Sequence, residues 1–238
     1  MILDRNDENG KFSIAIDDHD WREIDLLRME AAAGKRAATF IKKALGYEAM
    51  LALINEESAS ADRRWKVWVD QSCGRYRSAV MTFRVQGMLP DQFYAYIIQN
   101  AGETLQFKMH PEHYVSHFSD GLNGIAIIAE TWGTATIRSY ARFSDIQVLR
   151  DEGIDIEPIL DSNASQRMAA IGRTQDGNFI AAVLHQIIPS VDGFLFKTCA
   201  FLPEAVPDEI MAGLDQHAAV EFTNMIRVAR EAEVAKAC

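Results

Sequence analysis

Cysteine is scarce in this chain and widely scattered. Cys73, Cys199 and Cys238 are odd in number and show no Cys-x-x-Cys spacing, which excludes a disulfide framework or a cysteine zinc site and fits a reducing compartment. No apolar run approaches the length of a bilayer span, and the first ten residues are polar and acidic where a signal peptide would be basic and then apolar. A cytoplasmic, unprocessed protein without membrane association is therefore expected. Positive charge is in deficit too: 24 Lys and Arg against 34 Asp and Glu leave a net charge of -10. With no basic stripe carrying interleaved aromatics, nucleic acid is not an expected partner. Nucleophile elbow, phosphate loop, dinucleotide fingerprint, internal repeat and interdomain linker are all lacking. Histidine occurs only six times, so the places where it gathers carry information.

What is present suffices for a core without staples, since 48% of the 238 residues are apolar. Alternation predicts a short strand over 12–16, and His19 among Asp17, Asp18 and Asp20 reads as an acidic turn before a helix or as a cation-binding cluster. Residues 21–56, rich in Ala, Leu, Lys, Arg and Glu with glycines at 34 and 46, predict two or three helices. Strands are predicted over 65–70 and 76–86, and Leu89-Pro90-Asp91 opens a helix carrying Phe93, Tyr94 and Tyr96. Further strands are predicted over 125–132, 134–143, 168–173, 179–188 and 193–201, the fourth following the first three through a Gln175-Asp176-Gly177-Asn178 turn. Residues 144–163 read as a loop or lid. A final helix is predicted over 208–233.

Three features carry chemistry. On the last helix, Ile210, Leu214, His217, Glu221, Met225 and Val228 form one stripe at helical period, so a histidine and a carboxylate interrupt a core-facing seam. That His-x-x-x-Glu pair is either an internal hydrogen bond or two ligands converging on one metal. The segment ETLQFKMHPEHYVSHF holds His110, His113 and His117, and the proline after His110 predicts a turn that presents His110 and His113. Glu130 ends an otherwise apolar strand and needs a cationic partner if it faces inward. His185 shares a strand face with Phe179, Val183 and Ile187, as a core histidine or as part of a pocket wall.

Helices, antiparallel strands with a helix inserted, and a long terminal helix imply an α+β fold with the helix lying across a curved sheet. Through HPEHY, ETWG and HAAVE the chain resembles the 2,4-diacetylphloroglucinol hydrolase and phloretin hydrolase family, over about residues 60–230. The resemblance implies a START-like helix-grip domain over 61–238, preceded by a helical extension over 1–60. It implies a Zn2+ ion held by His110, Glu130, His217 and Glu221, with His113 and Tyr114 supplying or relaying a proton. His113 is the other claimant for the first histidine ligand, because the aromatic helix offers only Gln99 and Asn100. The implied substrate is a small acylphenol, resting on Phe93, Tyr94, Tyr96, Trp132 and His185. The implied reaction is hydrolysis of the carbon–carbon bond between the acyl group and the phenolic ring. Two other readings stand beside it: a metal-free START-like binding protein for an aromatic or polyketide-like ligand, and a non-haem iron oxygenase-like domain. A homodimer is the commonest assembly.

Overall fold

The computed structural model describes residues 2–7, 10–15 and 23–237. The acidic cluster around His19 lies outside the described residues, as does the last residue of the strand expected over 12–16. The chain divides into two compact units, Met1–Gly46 and Tyr47–Cys238. In the first, β1 (Ile2–Asp7) pairs antiparallel with β2 (Gly10–Ala15). Helix α1 (Glu23–Leu53) follows as two helical segments that meet at a kink, in line with the two or three helices expected over 21–56. It passes through Gly34 and leaves helical geometry at Gly46, where φ is 72°. A glycine tolerates that conformation without strain. The boundary expected at residue 60 lies inside α2 (Asn55–Ser72).

The second unit is built on a seven-stranded antiparallel sheet. Its strands are β3 (Tyr76–Gln86), β4 (Val115–Leu122), β5 (Ile125–Trp132), β6 (Ala135–Ser144), β7 (Gln166–Arg173), β8 (Phe179–Ser190) and β9 (Gly193–Pro203). They run in the order β3-β9-β8-β7-β6-β5-β4. After β3 the chain crosses to the far edge through α3 (Pro90–Asn100) and α4 (Glu103–Met109), then returns strand by strand, with the short helix α5 (Gln147–Asp151) after β6. The long α6 (Asp208–Ala237) closes the unit. This is a START-like helix-grip fold, with a curved sheet, a long C-terminal helix and an N-terminal helical extension. Among the described residues, no helix is long and apolar enough to cross a membrane.

Residues 65–70 are helical, not the expected strand, and the packing supplies the reason. Trp65 and Trp68, three apart, share a helix face and meet edge to face at 4.9 Å. The Trp65 indole N–H donates to the Ile180 carbonyl at 2.9 Å. A tryptophan can bury its ring only where that N–H finds an acceptor.

Two glycines fix how α6 sits on the sheet. A Cβ added at Gly213 would stand 2.1 Å from the Gly133 backbone nitrogen, and one at Gly133 would stand 2.9 Å from the Glu209 carbonyl oxygen. The backbones of α6 and the β5–β6 turn therefore meet directly. Gly133 lies three residues beyond Glu130, and Gly213 one helical turn before His217, so this contact sets the spacing of the two side chains.

A candidate metal centre on an apolar cavity

Four side chains from two elements and one turn converge. In the turn after α4, the His113 N–H donates to the His110 carbonyl at 3.3 Å across Pro111 and Glu112, and proline suits the second position of such a turn. The Glu112 N–H donates to His110 Nδ1 at 3.0 Å. The turn is tied to α6 by the Asn224 amide, which donates to the Met109 carbonyl at 2.8 Å. His113 is fully buried, and its Nδ1 lies 2.8 Å from the Gln106 carbonyl oxygen. A carbonyl only accepts, so Nδ1 carries the proton and Nε2 presents a lone pair.

That Nε2 faces His217 Nε2 at 3.0 Å and Glu130 Oε2 at 3.1 Å, while His217 Nε2 and Glu130 Oε2 are themselves 3.0 Å apart. Glu221 Oε1 stands 3.8 Å from His113 Nε2. Glu130 arrives from β5, and His217 and Glu221 from consecutive turns of α6. Burial alone pushes the Glu130 carboxyl up, but hydrogen bonding to the two histidines outweighs it and holds the group below the ordinary carboxylate range. Burial also opposes charge on His217, yet the carboxylates of Glu112, Glu130 and Glu221 push it up to about 10. Glu221 is pushed up by burial, against the pull of the two histidines.

Three lone-pair-bearing atoms about 3 Å apart need a positive charge between them, either a proton on His217 or a metal ion. Tetrahedral zinc with ligand bonds of about 2.0–2.1 Å spaces its donors about 3.3 Å apart, close to the triangle formed here. Two carboxylates and two neutral imidazoles also balance a divalent charge. On the other side of the ring, His217 Nδ1 has no hydrogen-bond partner among the described residues, its nearest carboxylate being Glu112 at 3.9 Å. The donor set therefore fits zinc, with His113, Glu130, His217 and Glu221 as the residues able to hold it.

His110 occupies a different place. Its ring stacks on His217 at 3.8 Å, and burial together with the neighbouring His217 and His113 pushes its imidazole down to about 3. Tyr114 turns away: its hydroxyl pairs with Thr131 at 3.1 Å, and Thr131 alternates with the cavity-facing Glu130 and Trp132. His117 meets the Tyr47 ring at 5.3 Å.

Glu130 and Glu221 open onto a cavity of about 180 Å3 between sheet and helix, lined mainly by apolar side chains. For scale, an apolar hole of about 150 Å3 accommodates benzene. Trp132 and His185 lie on this wall, but Phe93, Tyr94 and Tyr96 do not. Phe93 is instead fully buried against Phe194, rings stacked at 4.9 Å, and Tyr96 belongs to the same core. The aromatic wall comes from Phe118, Phe143, Phe196 and Phe222. Strand alternation could have flagged Phe196, but nothing local marks Phe118 or Phe143 as cavity residues.

No family model matches the chain, and no curated protein matches it. Among solved structures it is similar to Ara h 8.0201, at 9% identity over 66% of this chain and 99% of that one, with a TM-score of 0.46. It is also similar to the KanY protein, at 10% identity over 66% and 99% of the two chains, with a TM-score of 0.45. A third similar structure is protein MLL2253 from Mesorhizobium loti, at 10% identity over 65% and 98%, with a TM-score of 0.41. Likenesses this distant carry no information about the site.

Proposed function

We propose that this protein is a zinc-dependent hydrolase that cleaves the carbon–carbon bond between an acyl group and a phenolic ring. The observation that carries the reading is the convergence of His113 Nε2, His217 Nε2 and Glu130 Oε2 within 3.0–3.1 Å, with Glu221 beside them, on the wall of a cavity sized for one aromatic ring. Zinc bound there supplies an acidified water and a Lewis acid for the ketone oxygen. The chain's own groups do the rest. The Gln106 carbonyl fixes the tautomer of His113 and so directs its lone pair. Glu130 and Glu221 bring the two negative charges that offset a divalent cation. The apolar wall holds the ring and keeps bulk water from its face. Water adds to the carbonyl carbon, the bond to the ring breaks, the acyl group leaves as a carboxylic acid, and the ring carbon takes a proton. Glu221 faces the cavity, and as a carboxylate it can take the proton that the water gives up and pass it to the ring carbon.

A second reading rests on one observation. A proton on His217 also closes the cluster, as its raised basicity indicates, and the fold would then serve as a metal-free binding protein for an aromatic ligand. Elemental analysis of protein purified without a metal-affinity tag separates the two. The hydrolase reading expects one zinc per chain, lost in His217→Ala and in Glu130→Ala, and conversion of an acylphenol to the free phenol and the carboxylic acid. Full metal content in both variants overturns it.

A further inference from the structure

His185 lies on β8, among apolar cavity residues, and its ring is boxed in. Phe196 stacks against it at 5.6 Å and Phe222 meets it edge to face at 5.3 Å. Its Nδ1 is 2.9 Å from the Thr198 hydroxyl on the adjacent β9. Neither Nε2 nor the Thr198 hydroxyl has another hydrogen-bond partner among the described residues. One arrangement satisfies the most groups: Thr198 Oγ1–H donates to Nδ1, and Nε2 then carries the proton. The reverse would leave the hydroxyl hydrogen of a residue only 5% exposed without an acceptor. Burial pushes the imidazole down to about 4, so near neutral pH it is an uncharged donor. Lys and Arg are absent from the described residues that line this cavity, so neither side chain is there to pair with an ionised oxygen on the ring.

We infer that His185 is a specificity-determining residue whose Nε2–H reads an uncharged oxygen on the ring of the bound aromatic, with Thr198 holding the required tautomer. The inference deepens the proposed function by naming what the cavity recognises: a ring bearing a hydroxyl or ring carbonyl, as distinct from a bare arene of the same shape. The physical basis is asymmetric discrimination. A buried donor left unpaired by a ligand that lacks the matching oxygen penalises that ligand by the desolvation cost of the donor, which a matching ligand does not incur.

The test is ligand binding, read by quenching of tryptophan fluorescence, with ortho-, meta- and para-hydroxyacetophenone measured against acetophenone. Using the ratio of affinities within each variant removes any general effect on folding. In the unaltered protein, the best hydroxylated isomer is expected to bind roughly ten- to a hundredfold more tightly than acetophenone. In His185→Leu, the ratio falls to about two or less, the level left when the hydrogen bond is gone. Thr198→Val frees Nδ1 to take the proton and lowers the ratio as well. An unchanged ratio in either variant, no preference in the unaltered protein, or no binding of either compound overturns the inference. Zinc is quantified in the same samples. Preference for the hydroxylated ring in protein that binds no zinc sinks the hydrolase reading and leaves the role of His185 standing.

Discussion

Chelation offers the most direct probe of the candidate centre. Without an ion, the cluster holds two carboxylates and two imidazoles, with His113 Nε2, His217 Nε2 and Glu130 Oε2 packed within 3.0–3.1 Å of one another. A ligand that binds only the folded state stabilises it by mass action. Free zinc held at about a thousand times its dissociation constant contributes about 4 kcal/mol. For a chain of this size each kcal/mol moves the midpoint by roughly 2–4 °C, so zinc-loaded protein should melt roughly 8–16 °C above chelated protein. Differential scanning calorimetry at matched ionic strength reads the shift. Glu130→Gln keeps the shape of the side chain but removes a charged donor, and should abolish most of it. A melting point indifferent to both zinc and chelator would refute the reasoning, because donors spaced as these are could not then be gathering a cation.

Further outcomes follow from individual contacts. Gly213→Ala forces a Cβ to within 2.1 Å of the Gly133 backbone; overpacking of this kind costs about 1–3 kcal/mol. Since that contact sets the gap between Glu130 and His217, zinc affinity measured by competition should also drop at least about tenfold. Trp65→Ala removes a ring that is 1% exposed and orphans the Ile180 carbonyl. It should cost about 3–5 kcal/mol in urea denaturation, and Trp65→Phe less. His185 has its imidazole pushed down to about 4, whereas in the unfolded chain it titrates near 6.5, so the unfolded state binds the extra proton between those values. Stability must therefore rise as pH increases from 4 to 6.5, by at most about 3 kcal/mol, and His185→Leu should flatten that part of the profile. Cys199 is buried and its thiol is pushed up to about 12, whereas Cys73 is exposed. A thiol reagent should modify Cys73 in the native protein and reach Cys199 only on unfolding.

Periodicity alone made α6, β3, β5 and the hairpin of β7 and β8 legible, because each buries one face and so repeats its apolar residues at 3.6 or 2. The stripe that places His217 and Glu221 together on α6 belongs to this class, as does the turn at His110-Pro111. The strand expected over 65–70 is a different case. Its alternating residues suit either structure locally, and the choice of helix rests on the Ile180 carbonyl, more than a hundred positions away, accepting from Trp65.

By itself, then, the sequence determined which residue types were available to build a centre: a histidine turn, a carboxylate ending an apolar strand and a His-x-x-x-Glu helix, together with the absence of any rival catalytic motif. Only tertiary structure decided which histidine meets Glu130. His110 and His113 are three residues apart in one turn, and the Gln106 carbonyl, by capturing His113 Nδ1, aims that ring at His217 and leaves His110 stacked behind it. The same holds for the cavity wall, where Phe118 and Phe143 come from strands that local sequence cannot bring together and Phe93 is claimed by the core. The physical reason is common to both: covalent neighbours set a side chain's periodicity and turn preference, while its final direction is set by hydrogen-bond acceptors and van der Waals partners far along the chain.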